Sequence, residues 1–235
     1  MNIEILNSNG YFAITSAIWI ETAIQAIEQK GRFDVALSGG STPEKMYQVL
    51  AGSPRMKQYW SKVHLWFGDE RCVPPDNENS NYHMVKMAMV EYLESVNIHR
   101  MAGELAPKLA AQKYAKEMGA LSQEDEKPQF DLVMLGIGED GHIASLFPGS
   151  DNYREREAWV AASYVPAVSM WRISITMPVI QAARQVMVLA AGEGKAEIVG
   201  KIQSGSGVGL PAGEVVEWTH ATWYLDEASA VEIKH

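Results

Sequence analysis

Residues 130–149 read Phe130-Asp131-Leu132-Val133-Met134-Leu135-Gly136-Ile137-Gly138-Glu139-Asp140-Gly141-His142-Ile143-Ala144-Ser145-Leu146-Phe147-Pro148-Gly149, an apolar run followed at once by glycines, carboxylates and one histidine. The apolar run, Phe130 to Leu135, predicts a buried parallel strand. In open α/β sheets, ligands bind beyond the carboxyl ends of such strands. We therefore expect the segment at 136–149, called the third loop, to face a substrate.

Three glycines between 136 and 141 also match the G-x-G-x-x-G spacing of dinucleotide-binding folds. A dinucleotide site needs these glycines to open a long helix, and it needs an acidic residue at the end of the next strand. Here Pro148 would end any helix early, and the next apolar run ends in Ser163 and Tyr164. The spacing therefore does not indicate a dinucleotide site.

The order of strand, polar loop and helix recurs on both sides of this stretch. Strands are predicted at 33–37, 63–67, 130–135, 158–164, 172–176, 185–190 and 221–225. Helices are predicted at 11–30, 80–93 and 107–118 and from 43, 178, 194 and 211, with an irregular loop at 69–79 and an exposed connector at 122–129. This alternation predicts an α/β fold with a mostly parallel sheet and helices on both faces, a Rossmann-like three-layer architecture, in a single domain over residues 1–235. The loops that follow the strands should then share one rim.

Composition and charge exclude several classes of protein. The 235 residues are 47% hydrophobic and 21% charged, and no apolar run approaches the roughly 18 residues of a membrane span. A net charge of -9 opposes binding to nucleic acid or to anionic membranes. Cys72 is the only cysteine, and the N-terminus lacks the basic start of a secretory signal. We therefore expect a cytoplasmic protein without internal disulfides.

The first loop, Ser38-Gly39-Gly40-Ser41-Thr42-Pro43, follows a predicted strand and opens a predicted helix. Glycines permit close backbone approach, and N–H groups at a helix start bind phosphate with help from the helix dipole. Gly39, Gly40 and the hydroxyls of Ser41 and Thr42 are therefore candidate phosphate ligands. A tight turn with a Ser/Thr helix cap and no ligand is an equally supported alternative.

The second loop, Gly68 to Asp76, places Asp69 and Arg71 directly after the strand at 63–67. Arg71 can supply bidentate positive charge to a phosphate, and Asp69 can orient a histidine or accept a hydrogen bond from a sugar hydroxyl. Taken alone, an ion pair that only orders the loop is the favoured interpretation. The segment Asn79-Ser80-Asn81 is expected to cap the next helix.

His142 in the third loop is the best candidate for acid–base chemistry, because imidazole titrates near neutral pH. A neighbouring carboxylate, Asp69 or Asp140, would fix its tautomer. Lys195 begins a predicted helix on the same rim, and Arg172 begins a predicted strand, so each can meet an anion. A solvated lysine and a strand-edge arginine are the alternative interpretations of these two residues.

Taken together, these loops resemble the 6-phosphogluconolactonase family. The segments that carry the resemblance are, in order, 38–43, 69–71 with 73–76, 140–149, 172–176, 194–195 and 210–212. The similarity spans nearly the whole chain, and the joint occurrence of the segments is far more specific than any single loop. Ile143 is a mild departure, because the family often has threonine there.

The glucosamine-6-phosphate deaminases share this fold family and have similar first and third loops. They typically carry D-E-Y in the second loop and H-I-A-F-N-E-P in the third, and they use the glutamate of the third loop for ring opening and proton transfer. This chain has Arg71 and Phe147 at the distinguishing positions, while Ile143 follows the deaminase pattern. The missing carboxylate favours the lactonase resemblance.

The resemblance implies hydrolysis of 6-phosphoglucono-1,5-lactone to 6-phosphogluconate in the oxidative pentose phosphate pathway, with no metal and no other cofactor. His142 would act as general base, oriented by Asp69 or Asp140, and backbone N–H groups or a nearby cation would stabilise the oxyanion. The phosphate would lie against the first loop and three cations: Arg71, Arg172 and Lys195.

The expected partner is therefore a small phosphosugar lactone, with no nucleic acid and no membrane. The expected assembly is a monomer or a small homo-oligomer. A non-catalytic phosphosugar sensor on the same scaffold is a second hypothesis, because fold and anion loop alone do not establish turnover.

Overall fold

The computed structural model describes residues 1–122 and 127–233. Within these residues, the ten strands are β1 (Asn2–Leu6), β2 (Phe33–Leu37), β3 (Val63–Phe67), β4 (Asp69–Arg71), β5 (Asn97–His99), β6 (Leu132–Gly136), β7 (Val160–Val165), β8 (Met170–Ile175), β9 (Gln185–Ala190) and β10 (Ala221–Asp226). The α-helices of the same residues are α1 (Tyr11–Lys30), α2 (Ser41–Ala51), α3 (Asn81–Ala88), α4 (Pro107–Met118), α5 (Asp151–Arg154), α6 (Met177–Gln181), α7 (Ala196–Gln203) and α8 (Pro211–Val215). Part of the connector predicted at 122–129 lies outside the described residues.

Seven strands of the described chain form a parallel sheet in the order β1-β10-β9-β6-β2-β3-β5. From β2 the chain runs outward through β3 to β5. It then returns to β6, on the other side of β2, and continues outward through β9 and β10. The direction of progression reverses between β2 and β6, and a crevice opens beyond the carboxyl ends of strands at such a point.

Helices cover both faces of the parallel sheet, and each face has its own apolar core. Val35 and Leu37 of β2 join α1, α2 and α3 in one core, which contains the fully buried Trp19. Ala36, between them, joins the other core, where Tyr114 of α4 packs together with residues of α6, α7 and α8. This alternation follows from the period of two in a strand. It confirms the predicted α/β three-layer architecture.

The longest helix, α1, begins and ends where the sequence predicts. Gly31 follows it with a φ of 84°, and the Gly31 N–H donates to the carbonyl of Ile27, as expected of a glycine in the left-handed C-cap position. In the described part of the chain, no helix is both long enough and apolar enough to cross a membrane.

A small antiparallel sheet, β4-β8-β7, accompanies the parallel one. The mostly parallel sheet that the sequence predicts is confirmed, but this second sheet was not predicted, and the irregular loop predicted at 69–79 is corrected here because it begins with a strand. Asp69–Arg71 becomes a strand because it pairs with residues 172–174 of β8. The β7–β8 turn at 166–169 has none of the Asn-Gly or Asp-Gly pairs that mark hairpins in a sequence.

The edge strands also differ from the prediction. β1 and β5 are absent from it, because β1 is mostly exposed and β5 has only three half-buried residues. The predicted helix at 80–93 ends at Ala88 and is followed by a 3-10 turn at Val90–Tyr92. Neither difference changes the rim at which the three loops meet.

Candidate active site

A cleft of about 310 Å³ opens beyond the carboxyl ends of β2, β3 and β6. It lies at the reversal of strand order between β2 and β6, where the fold leaves room for a ligand. All three loops contribute to it, together with β8 and the turn before α7. The lining residues are Ser38, Gly39, Gly40, Ser41, Thr42, Pro43, Asp69, Arg71, Asn81, Gly136, Ile137, Gly138, His142, Ala144, Phe147, Val168, Arg172, Leu189 and Lys195.

The first loop presents the start of α2 to the cleft. Gly40 has a φ of 100°, in the region that favours glycine, and α2 begins at the next residue. No side chain of the described residues caps this helix, so the N–H groups of its first turn are left for another acceptor. The Tyr47 hydroxyl fixes the loop from below, because it accepts from the Ser38 N–H (3.0 Å) and donates to the Ser38 carbonyl (2.8 Å).

Arg71 and Arg172 lie opposite each other on β4 and β8, and both line the cleft. Each has a buried Nε that has no hydrogen-bond partner within the described residues. Burial, and then the charge of Arg71, lower the pKa of the Arg172 guanidinium. An anion between the two arginines would offset their repulsion and satisfy the unpaired donors. Lys195, in the turn before α7, brings a third cation to the same cleft.

His142 and Asp140 form a hydrogen-bonded pair at the cleft. His142 Nδ1 lies 2.5 Å from Asp140 Oδ1, and the His142 backbone N–H donates to the same oxygen (3.1 Å). Burial opposes ionisation of Asp140, but the hydrogen bonds from His142 outweigh it and hold the pKa of this carboxyl below its ordinary value. An ionised Asp140 favours the tautomer with the proton on Nδ1, which leaves Nε2 free to accept a proton.

Two further residues fix the imidazole ring. Phe147 stacks on it, with ring centroids 4.2 Å apart and an interplanar angle of 26°. The backbone of Gly138 lies against the His142 ring and the Asp140 carboxylate, and a Cβ at this position would overlap both. Phe147 thus contributes a contact surface without a titratable group.

Asp69, the other carboxylate considered as a partner for His142, is bound elsewhere. It is buried in the floor of the cleft, where Oδ2 accepts from Ser145 Oγ (2.6 Å) and Oδ1 accepts from Asn81 Nδ2 (3.0 Å). Asp140 pairs with His142 instead, because the turn closed by the Gly141 N–H and the Gly138 carbonyl folds it back onto the ring. Of the two carboxylates that the sequence offers as partners of His142, Asp140 is therefore the one that contacts it.

The structure brings the candidate site residues together at one rim. Those that line the cleft are Gly39, Gly40, Ser41, Thr42, Asp69, Arg71, His142, Arg172 and Lys195, and Asp140 contacts His142. Asn81 and Ala144 also line it, although the sequence did not single them out. Asn81 was expected to share in a helix cap, which Ser80 supplies by accepting from the His83 N–H (3.1 Å). Ala144 has a φ of 48°, which no residue pattern signals.

Two other kinds of site, a metal site formed by clustered side chains and a cysteine nucleophile, are not indicated by the described residues. Among residues 1–122 and 127–233, no cluster of three or more His, Cys, Asp or Glu side chains could hold a metal ion. Burial raises the pKa of the Cys72 thiol to about 11; Glu70 adds to this rise and Arg172 opposes it. Because the thiolate is the nucleophilic form, Cys72 is a poor nucleophile near neutral pH.

The chain is similar to known proteins along most of its length. Residues 12–224 match the family model described as glucosamine-6-phosphate isomerases/6-phosphogluconolactonase. The chain is 37% identical over 202 residues to a 6-phosphogluconolactonase of Aggregatibacter actinomycetemcomitans (83% of this chain, 85% of the relative) and 35% identical over 227 residues to one of Streptomyces coelicolor (91% and 87%). It is also similar to the structure of 6-phosphogluconolactonase from Trypanosoma cruzi, with a TM-score of 0.85 and 27% identity over 97% of this chain and 95% of that one. The chain belongs to the glucosamine-6-phosphate isomerase/6-phosphogluconolactonase family.

Proposed function

We propose that this protein hydrolyses 6-phosphoglucono-1,5-lactone to 6-phosphogluconate in the oxidative pentose phosphate pathway. The observation that carries the proposal is that the Asp140-paired His142 shares one cleft with Arg71 and Arg172. A proton acceptor and a cationic pair in one cleft suit a substrate with a lactone at one end and a phosphate at the other. Relatives more than 30% identical along most of the chain bear the name 6-phosphogluconolactonase.

The phosphate binds at the first loop. Backbone N–H groups from Gly39 onward and the hydroxyls of Ser41 and Thr42 contact its oxygens at the uncapped start of α2. Three cations surround the same end of the substrate: Arg71, Arg172 and Lys195. They supply local positive charge in a protein whose net charge is -9. Binding energy from the phosphate then positions the lactone carbonyl at the third loop.

His142 acts as general base through Nε2. It takes a proton from a water molecule as the water oxygen bonds to C1, and the carbonyl becomes a tetrahedral oxyanion. Backbone N–H groups of the glycine loops or a nearby cation stabilise this charge. The bond between C1 and the ring oxygen then breaks, and the imidazolium returns its proton to that oxygen. Asp140 stabilises the imidazolium in the interval.

Two alternatives use the same scaffold. An amino-sugar deaminase needs a proton-carrying carboxylate in the third loop, and Phe147 occupies that position while stacking on His142. A non-catalytic phosphosugar sensor needs the cations of the cleft but gains nothing from a histidine with a free Nε2. Phe147 therefore disfavours the deaminase, and the paired His142 disfavours the sensor.

The class of reaction is tested by two assays side by side. Freshly generated lactone is followed by proton release and corrected for spontaneous hydrolysis in protein-free buffer, and glucosamine 6-phosphate is followed by ammonia release. We expect acceleration in the first assay alone. Ammonia release would indicate a deaminase, and binding of 6-phosphogluconate without turnover in either assay would indicate a sensor.

The role of His142 is tested by His142→Ala. Loss of a general base should lower kcat by about 10²- to 10⁴-fold, while calorimetric binding of 6-phosphogluconate, which depends on the phosphate end, is retained. His83→Ala is the matched control, because His83 lies on α3 outside the cleft lining. Turnover near that of the unmodified protein in His142→Ala would remove His142 from the mechanism.

We further infer a single domain, a cytoplasmic setting and a monomer or a small homo-oligomer, with the phosphosugar lactone as the partner and no binding to nucleic acid. The support is the lone cysteine, which permits no internal disulfide, and the net charge of -9, which repels polyanions. Sedimentation velocity gives the assembly, and a band shift with added DNA or RNA would contradict the last expectation.

A further inference from the structure

Asn81 begins α3 and lies where the first and second loops meet. Its side chain is 2% exposed yet lines the cleft. Nδ2 donates to the Asp69 backbone carbonyl (2.9 Å) and to Asp69 Oδ1 (3.0 Å). The Asn81 backbone N–H donates to Glu70 Oε1 (2.7 Å), which fixes the residue at its base as well. The amide is therefore held in one orientation and holds Asp69 in turn.

Asp69 continues this connection to the third loop. Its Oδ2 accepts from Ser145 Oγ (2.6 Å), and the Ser145 N–H donates to Ser174 Oγ on β8 (3.2 Å). Ser145 follows His142 by three residues in the sequence. The orientation of the Asp69 carboxylate therefore ties the second loop to the loop that carries His142.

The first loop packs against the other side of the same amide. A Cβ added to Gly39 would overlap the Oδ1, Cγ and Nδ2 atoms of Asn81. The backbone of the first loop thus lies closer to Asn81 than any residue with a side chain allows. Through contact on one side and hydrogen bonds on the other, Asn81 joins the first loop to Asp69 and Ser145.

We propose that Asn81 is a positioning residue for the reaction, whose amide sets the distance between the phosphate-binding first loop and His142. The proposal rests on the proposed function and deepens it. Hydrolysis requires that the base reach the attacking water while the phosphate stays bound, and a displacement of about 1 Å can cost about 100-fold in rate. Removing the amide would let the two loops shift relative to each other.

Asn81→Asp is the informative substitution, because it keeps the shape of the side chain and removes both N–H donors. A carboxyl introduced about 3.0 Å from Asp69 Oδ1 shares a proton with it at low pH and so restores one hydrogen bond. As the pH rises, the shared proton is lost and the two carboxylates repel each other. The titratable and charged groups that interact with Asp69 are Tyr47 on α2, Glu70 on β4 and Arg172 on β8, and those that share the cleft with it are Arg71, His142 and Lys195.

The experiment measures kcat/KM for the lactone between about pH 5.5 and 8 in Asn81→Asp and in the unmodified protein. The ratio of Asn81→Asp to the unmodified protein removes the titration that both share. We expect this ratio to rise by about 10-fold or more toward acid pH, whereas Asn81→Ala stays about 100-fold low throughout. A ratio that does not change with pH would overturn the proposal.

Asn97 provides a matched control for the same chemical change. Its Nδ2, like that of Asn81, donates two hydrogen bonds. The acceptors are the backbone carbonyls of Ser61 (3.0 Å) and Val63 (3.1 Å), and they lie at the opposite end of the parallel sheet. Asn97→Asp should leave both kcat/KM and its pH dependence unchanged. If the unmodified protein does not accelerate lactone hydrolysis, the proposed function fails; if it does and the Asn81→Asp ratio is flat, only the role of Asn81 fails.

A double-mutant cycle tests the contact with Gly39 and does not require Asn81→Asp to fold. Gly39→Ala places a Cβ on the Asn81 amide and should lower kcat/KM by about 10-fold or more through displacement of the loop. In the Asn81→Ala background the space is open, so Gly39→Ala should cost at least about 5-fold less than it does alone. Additive effects would mean that the two loops do not act through Asn81, and they would contradict the proposal.

Discussion

His142 is fixed on two sides by different interactions. On one side Asp140 accepts a hydrogen bond at 2.5 Å from Nδ1, and on the other Phe147 stacks on the ring. The hydrogen bond selects the tautomer, whereas the stack limits tilting of the ring plane. The two contributions can therefore be separated by substitution.

Phe147→Ala should lower kcat by roughly 10-fold, because the imidazole keeps its hydrogen bond to Asp140 but loses the stacking contact and samples unproductive orientations. KM should change little, since the phosphate end is untouched. Phe147→Tyr retains the ring and serves as the control. Steady-state kinetics on the lactone give both values, and unchanged kcat in Phe147→Ala would show that Asp140 alone positions the ring.

Arg71→Ala and Arg172→Ala should each reduce the preference for phosphorylated over unphosphorylated gluconolactone by about 10- to 100-fold, because each removes charge-assisted hydrogen bonds to the phosphate. Arg156→Ala is the control, since Arg156 pairs with Glu214 away from the cleft lining. The ratio of kcat/KM values for the two substrates gives the preference. If both cleft variants kept the full preference, the phosphate would have to bind elsewhere.

The sequence identified His142 but left its partner open between Asp69 and Asp140. Both carboxylates lie in loops that follow strands, so hydrophobic pattern and spacing do not distinguish them. The choice depends on the turn at 138–141, which folds Asp140 onto the ring, and on Ser145 and Asn81, which engage Asp69. The contact of Asp140 is local to its own turn, whereas the contact of Ser145 with Asp69 joins two loops that are distant in sequence.

Among the elements, α2 contributes most directly to the proposed phosphate site. It starts without a side-chain cap, directly after Gly40 with its φ of 100°. Gly31, which ends α1, has a comparable φ of 84° and an equally open surrounding, with no atom close to the position of a Cβ. The two backbones differ in ψ, which is -5° at Gly31, in the left-handed helical region, and 162° at Gly40, in a region that is essentially restricted to glycine.

Gly31→Ala should destabilise the protein by about 1–2 kcal/mol, because an L-residue pays a steric cost in the left-handed conformation. Gly40→Ala should cost at least as much, up to about 3 kcal/mol, because its conformation is essentially restricted to glycine. Gly40→Ala alone should raise KM for the lactone, since it disturbs the N–H groups at the start of α2. Urea denaturation measures stability, and steady-state kinetics measure KM. If both variants changed KM equally, the start of α2 would have no specific role in substrate binding.

The elements that the sequence predicted best are those with strong local signals. β2 and β9 have the predicted limits because they are mostly apolar and almost entirely buried, and α1 has them because its helical spacing of apolar residues ends at Gly31. The antiparallel pairing of β4, β7 and β8 escaped prediction because three residues as polar as Asp69–Arg71 become a strand only when another strand supplies the partner. That pairing is also what sets Arg172 opposite Arg71.

At the scale of the whole molecule, the amino end of the sheet is held by a buried carboxylate. Asp34 on β2 is 1% exposed and accepts hydrogen bonds from Arg32, Lys30 and the indole N–H of Trp66 on β3. Burial opposes its ionisation, but the hydrogen bond from Arg32, then that from Trp66, then the two positive charges, outweigh burial and hold the pKa of Asp34 below its ordinary value.

Asp34→Asn should destabilise the protein at neutral pH by about 2 kcal/mol, a value reduced from that of a fully buried pair because Lys30 and Arg32 are partly exposed. The folded state favours the ionised form, so this stabilisation is complete above the ordinary carboxyl pKa near 3.8 and is lost as the pH falls through the lower folded value. Urea denaturation at neutral and acid pH should show the two proteins converging below about pH 4. A difference that stays constant with pH would contradict this role for Asp34.

The order of helices and strands, the fully buried strands, the rim on which the three loops meet and the candidate base His142 can all be derived from the amino-acid sequence. These follow from local properties, namely the period of apolar residues and the placement of glycines after strands. The folded structure was needed to show that Asp140 is the carboxylate that pairs with His142, that Arg172 faces Arg71 in a second sheet and that Asn81 joins the first loop to Asp69. The first result depends on the turn at 138–141 and on the engagement of Asp69 by Ser145, and the other two depend on how strands and loops pair in space. Residue spacing along the chain carries no information about that pairing.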